Sequence, residues 1–345
     1  MRVLVTGHQG YIGSVLMPLF RSAGHDVVGL DTFYFEGCDF GANSEPVACI
    51  RKDLRDVTAA DVDGFDAIVH LAALSNDPVG NLNPACTYAI NQDASIKLAQ
   101  LAKDVGVRRF LFSSSCSLYG AAGDEMLTEE ARFNPVTPYG ESKIAVEREL
   151  SKLAGDNFSP SYLRNATAYG ASPRLRMDLM VNDLVAHAYL DGEVLIKSDG
   201  TPWRPLVHVE DIAAAFLAVL QSPREAVYNQ AFNVGRSEEN FRVREVAEMV
   251  RQAVPGSKVV YAEGGGPDLR CYRVSCDKLP SMVPDFQPRW TVRAGIDQLH
   301  RAYAASGLTR DELLGSRYVR LEQLRRLMQR GELDAHLQWA GSRSH

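Results

Sequence analysis

From residue 1 to about residue 115, short apolar runs alternate with stretches whose apolar residues recur at helical spacing. The runs Val3–Thr6, Val27–Asp31, Ala48–Lys52, Ala67–Leu71 and Phe110–Ser113 read as strands, with Ala48–Lys52 at an edge. Helices are expected after Gly10, across Ala85–Val105 and from Tyr139 to about Leu153. Strand–helix–strand order of this kind builds a parallel sheet covered on both faces. Pro18 falls inside the first helix and is expected to bend it or to sit near an end. Pro135 and Pro138 mark where the helix at Tyr139 starts. After Tyr162 the alternation loosens, and Pro173, Asp191–Gly192, Asp199–Gly200 and Gly264–Pro267 mark loops between smaller elements. Leu206–Val209 followed by Ile212–Leu220 reads as a return to the main domain. The expected division is a first domain over 1–170 with a returning segment near 204–222, and a second lobe with a helical tail over 171–345. In that tail Leu313, Leu314, Leu321, Leu324 and Leu327 stand among arginines in an amphipathic pattern. The arginines read as a solvated face, and the last few residues as disordered.

Composition acts mainly by exclusion. The 345 residues, 46% of them hydrophobic, suffice for a sizeable core in one large domain or two coupled ones. A net charge of −6 offers no basic footprint for nucleic acid. No apolar run is long enough to span a bilayer, and a first strand starting at Arg2 is read as leaving no room for a signal peptide. Cys38, Cys49, Cys86, Cys116, Cys271 and Cys276 show neither CxxC nor Cys/His metal spacing. Buried, mostly inert thiols in a reducing cytoplasm are expected, with no structural metal.

The chemistry begins at the N-terminus. In MRVLVTGHQGYIGSVL, Gly7, Gly10 and Gly13 follow an apolar strand and open an amphipathic segment. Gly7 permits the sharp turn, Gly10 lets backbone N–H groups approach a pyrophosphate, and Gly13 lets the helix pack closely on the sheet. The spacing is one residue longer than G-x-G-x-x-G. Asp31 ends the second strand, where a carboxylate accepts the adenosine ribose hydroxyls. A carboxylate there also repels the extra phosphate of NADP, so NAD is the expected cofactor.

Further on, Tyr139 and Lys143 are four apart and share one helical face. Ser113, Ser114 and Ser115 lie at the carboxyl end of a strand, where open α/β sheets bind ligands. A phenol is a poor base near neutrality, and an adjacent ammonium favours its phenolate. Ser115 is placed to hydrogen-bond the same substrate hydroxyl. Strand-end capping is the competing reading of the serines.

With TGHQGYIG at 6–13, Asp31, KDL at 52–54, HLAALS at 70–75, Asn91, SSSCSLYG at 113–120, PYGESK at 138–143, LRNATAYG at 163–170 and WRPLVHVEDIA at 203–213, the chain resembles an extended short-chain dehydrogenase/reductase. More narrowly, it resembles the NAD-dependent sugar-nucleotide epimerase/dehydratase family over roughly residues 1 to 300. The resemblance implies an α/β fold, a Rossmann-type doubly wound parallel sheet with a smaller C-terminal substrate-binding lobe. It implies oxidation of a sugar hydroxyl by a tightly held NAD and use of the transient ketone. It makes Tyr11 and Ile12 of the glycine turn, Asp53, Leu54, Leu71, Ala72, Ala73, Asn91 and Ser113 cofactor contacts, beside Tyr139 and Lys143. Arg204 and Asn182 match residues on the substrate diphosphate, with a surface arginine and a helix-capping asparagine as the competing readings. Thr167 replaces a customary asparagine, and Arg270 is the candidate stand-in for an absent RxGD arginine. A homodimer through the helices Ala85–Val105 and Tyr139–Leu153 is implied too.

Dehydratases of the family carry Asp-Glu after the catalytic serine; here the pair is Cys116–Ser117. Ser117 is no base, and Cys116 is read first as packing and second as a general acid. The expectation is epimerisation of a nucleotide-diphosphate sugar. A dehydratase or ketoreductase is the alternative, and an NAD-binding redox sensor a distant one.

Overall fold

The computed structural model describes residues 1–41, 46–75, 79, 83–263 and 270–341. The expected loop Gly264–Pro267 and the last few residues therefore lie largely or wholly outside the described residues. Seven strands form one wholly parallel sheet. Numbering strands along the chain, these are β1 (Arg2–Thr6), β2 (Asp26–Asp31), β3 (Cys49–Arg51), β4 (Ala67–His70), β5 (Arg109–Ser115), β7 (Ser159–Asn165) and β11 (Gln230–Val234). Their spatial order is β11-β7-β5-β4-β1-β2-β3.

The sheet is buried on both faces, which is why its strands read as nearly continuous apolar runs. Val3, Val5, Val69 and Leu111 point to a core completed by Leu16, Phe20, Ile212 and Phe216 from the helices Gly13–Ser22 and Val209–Gln221. Leu4, Ile68, Phe110 and Phe112 point the other way, onto Leu98, Val146 and Leu150 from the helices Ala94–Asp104 and Pro138–Leu153. Pro18 leaves the first helix unbroken and faces solvent.

Three details depart from the expected elements. The stretch 85–105 is helical, but Tyr88–Asp93 is wound as a π-helix between two α segments. β5 runs on to Ser115, so the serines are still paired, Ser114 with Arg164 and Ser115 with Asn165. The segment expected to rejoin the main domain divides. The strand β10 (Trp203–His208) pairs outside the main sheet, with β8 (Thr167–Tyr169) and β12 (Asn240–Arg242), whereas the helix after it packs on the sheet and β11 re-enters it.

The smaller lobe adds the pairs β9 (Glu193–Ile196) with β13 (Lys258–Tyr261) and β6 (Ala121–Leu127) with β14 (Cys271–Val274). Its core is built by the helices Met180–Asp191, Val243–Ala253 and Val292–Ser306. The tail turns back to the first domain. Leu324, Leu327, Leu333 and Leu337 pack on Tyr34, Leu74, Cys86 and Ile90. Trp339 Nε1 donates to the Thr32 carbonyl at 2.7 Å, and Arg55 donates to that of His336 at 2.7 Å. The expectation that the tail's arginines are a solvated face is corrected at Arg320, which is 5% exposed. No helix among the described residues is long and apolar enough to cross a membrane. All six cysteines are free thiols.

Candidate active site

A cavity of about 570 Å³ opens at the carboxyl ends of β1, β2, β4 and β5 and runs from Asp53 to Arg204 and Arg270. At its centre β1 breaks into the glycine turn. Gly7 has φ +75°, and a Cβ there would stand 2.7 Å from the Ala72 backbone nitrogen. A Cβ on Gly13 would stand 2.5 Å from the Gly7 carbonyl oxygen. The turn therefore requires hydrogen side chains, and it delivers a helix whose N-terminus has no side-chain cap. Such an end carries unsatisfied N–H groups and the positive end of the helix dipole, which suits a pyrophosphate. Tyr11 and Ile12 line the wall here, and the Tyr11 hydroxyl donates to the Gly170 carbonyl at 2.7 Å.

Asp31 accepts from Gln9 N at 3.0 Å and Phe33 N at 2.8 Å, which ties its carboxylate to the turn. Asp53 is held by Arg55 through Nη2 at 2.6 Å and lines the same end with Leu54. Leu71, Ala72 and Ala73 form the wall beyond β4. Asn91, expected as a cofactor contact, is not on the wall. It sits in the π-wound turn, accepts from Leu74 N at 2.8 Å and donates to Leu74 O at 3.0 Å, so it holds the loop that is on the wall.

Ser113, Ser115, Tyr139 and Lys143 share the wall. Thr137 caps the helix Pro138–Leu153 by accepting from Gly140 N, which starts the helix so that Tyr139 and Lys143 face β5. Lys143 Nζ donates to the Ser113 carbonyl at 2.7 Å and lies 5.6 Å from the Tyr139 ring centre. Burial pushes the ammonium down to about 7, against the pull of Glu147. Ser115 Oγ accepts from Ser117 N at 3.1 Å. Behind this wall Glu147 receives Ser114 Oγ at 2.5 Å and Arg164 at 2.7 Å, a closed buried pair that fixes helix to strand.

Cys116 is corrected as a catalytic candidate. It is fully buried, absent from the wall, and donates its thiol to the Arg164 carbonyl at 3.0 Å. Burial raises it well above the ordinary thiol value. Ser117 lines the cavity and its Oγ is buried without a partner, as is Oδ1 of Asn165, which lines the same cavity. Thr167, Arg204 and Arg270 are on the wall. Arg204 Nη1 donates to the carbonyls of Trp203, at 2.8 Å, and Arg270. Asn182 is not on the wall. It bonds Gly170 N at 2.9 Å and the Arg176 carbonyl at 2.9 Å, bracing the segment between them.

Asn165, Arg176, Asp178 and Arg320 line the cavity and were missed by sequence reading. Asn165 lay inside the quoted LRNATAYG and was legible; the others carried no local signal.

The cleft defines a class: a dinucleotide-dependent enzyme whose glycine turn and Ser/Tyr/Lys group share one cavity wall. The chain belongs to the NAD dependent epimerase/dehydratase family, whose model matches residues 3–235. Its cofactor is NAD, for which the glycine cradle fits, and membership as an enzyme sets aside the redox-sensor reading. The chain is 30% identical over 295 residues to the UDP-glucose 4-epimerase of Lactobacillus helveticus, covering 78% of this chain and 87% of that one. The structure of MoeE5 with UDP-glucuronic acid and NAD is similar at TM-score 0.77 and 27% identity, over 89% of this chain and all of that one. The UDP-glucose 4-epimerase of Thermus thermophilus with NAD is similar at TM-score 0.74 and 27% identity, with the same coverage.

Proposed function

We propose that the protein epimerises a nucleotide-diphosphate sugar at one carbinol carbon through a transient keto-sugar. The observation that carries this reading is the wall beside Ser115. Oxidation machinery is present, yet the next two side chains are a thiol turned into the core and a neutral hydroxyl. Bound NAD supplies a hydride acceptor that returns the hydride. Tyr139 takes the sugar hydroxyl proton and later gives it back, Ser115 orients that hydroxyl, and Lys143 biases the phenol toward its ionised form. Arg204 and Arg270 hold the diphosphate, and Ser117 Oγ and Asn165 Oδ1 take sugar hydroxyls. The named relatives favour a UDP-sugar and its C4. The free thiols favour the cytoplasm. The helices Pro138–Leu153 and Ala94–Asp104 are the proposed homodimer face, which sedimentation of the purified chain tests.

The chemical test is incubation with UDP-glucose, UDP-N-acetylglucosamine and UDP-glucuronic acid in D₂O. Inverted configuration by NMR with unchanged product mass is expected for one of them. Deuterium at a carbon position, a product lighter by one water, or stoichiometric NADH turnover would each overturn the reading in favour of enolisation, dehydration or net redox chemistry.

A further inference from the structure

The buried guanidinium groups around the cleft are mostly paired. Arg164 meets Glu147 at 2.7 Å, Arg174 meets Asp39 at 2.5 Å, and Arg176 takes both oxygens of Asp178, at 2.9 and 3.1 Å. Arg320 is different. It is 5% exposed and lines the cavity, and none of the ion pairs among the described residues includes it. Its Nη2 donates to the Arg174 carbonyl at 3.1 Å, its guanidinium lies 3.9 Å from the centre of the Phe35 ring, and its Nη1 has no hydrogen-bond partner. Burial and the neighbouring Arg176 push it down to about 10, against the pull of Asp178. An unpaired buried charge is costly in the empty protein, and an anionic ligand removes that cost.

The surroundings of Arg320 indicate which anion. Phe35 lies four residues beyond Asp31 and lines the cavity. Arg174, whose carbonyl Arg320 bonds, donates through Nη2 to Gln9 Oε1 at 2.6 Å, inside the glycine turn. Arg176 donates to Ser75 Oγ at 3.1 Å and lines the same cavity. Arg320 is thus linked through Arg174 to Gln9 of the glycine turn and through Phe35 to the segment that follows Asp31. Its helix, Arg320–Gln329, is anchored independently through the apolar contacts of Leu324 and Leu327.

We propose that Arg320 donates to the pyrophosphate of the bound dinucleotide, which makes the C-terminal tail a strap across the cofactor half of the cleft. The inference rests on NAD as cofactor and not on the reaction proposed above, so its test reads binding rather than turnover. The other diphosphate available to this cavity is that of the nucleotide-sugar, and the arms of the test separate the two.

The test is calorimetric titration of dinucleotide-free wild type, Arg320→Met and Arg320→Lys with NAD, ADP-ribose, adenosine and UDP. Arg320→Met is expected to weaken NAD and ADP-ribose by about tenfold or more, the scale of one charge-assisted hydrogen bond. Adenosine and UDP are expected to stay within about twofold, with Arg320→Lys intermediate for the dinucleotide. The dinucleotide-free Arg320→Met protein is expected to melt no lower than wild type, because an unpaired buried charge is gone. Unchanged NAD and ADP-ribose affinity overturns the proposal, as does weakening of UDP alone. Should Arg320→Met fail to fold, amide exchange on wild type decides. ADP-ribose is expected to slow exchange across 320–329 and UDP is not; no slowing, or slowing by UDP alone, overturns it.

Discussion

The two halves of the cleft are built by different means. The cofactor half is mostly backbone and short-range contact: a glycine turn, the strand-end carboxylate of Asp31, and small residues after β4. The half proposed for the sugar is assembled from side chains far apart in the chain, with Arg204, Arg270, Thr167 and Ser117 arriving on four separate segments. A turn that rejects any Cβ leaves a local imprint in the sequence, whereas convergence of distant side chains leaves none. Tyr139 and Lys143 stand where the halves meet, so substitutions along the cleft should divide cleanly into those that affect one ligand and those that affect both.

The largest effect is expected at the junction. Tyr139→Phe should lower turnover by about 10²–10⁴-fold, the usual contribution of a general acid–base group, with NAD affinity nearly unchanged. Wild-type turnover on the identified substrate would remove Tyr139 from the chemistry. Next comes the sugar half. Arg204→Ala should weaken nucleotide-sugar binding by about 2–5 kcal/mol while leaving NAD in place, since a buried phosphate charge loses its partner. Equal loss of both ligands in titration would mean that the halves are coupled through Arg204. On the cofactor side, Asp31→Asn should cost NAD affinity about 1.5–3 kcal/mol, the worth of a hydrogen bond to a charged group, and narrow the preference for NAD over NADP. Tighter binding of NADP than NAD by wild type would show that Asp31 does not meet the ribose.

The last effect is a slope, and it shows at any single pH unit as the smallest change. Lys143 is held near 7 in the folded, dinucleotide-free protein, below its unfolded value of about 10.4. Between these values the unfolded chain binds more protons, so stability rises with pH across that window, by at most about 1.4 kcal/mol per pH unit. The cost of burying the ammonium is fully present below about 7. Lys143→Met should remove this contribution, and identical slopes in denaturant titrations of the two proteins would show that Lys143 keeps its proton in the fold.

Much of the first domain was legible from the chain. Five strand runs, the glycine turn, Asp31 and the Tyr139/Lys143 face stand where their patterns place them, because each obeys a backbone or periodicity rule that acts over a few residues. The strands β7 and β11 were not legible. Ser159–Asn165 holds Ser, Pro, Arg and Asn, and only pairing with β5 and β11 accounts for its complete burial.

What the sequence determined by itself is the set of local devices: a turn that only glycine can make, a carboxylate at a strand end, and two side chains one helical turn apart. Tertiary structure alone decided direction. It turned Cys116 into the core and Ser117 to the cavity, although the two are adjacent. It set Asn91 and Asn182 behind the wall as braces, and it carried Arg320 from a tail that reads as solvated onto the cavity wall. The physical reason is range. A motif records the conformation its own backbone needs, whereas the direction of a side chain is settled by which apolar faces must be buried together, and those faces meet only when the chain has closed on itself.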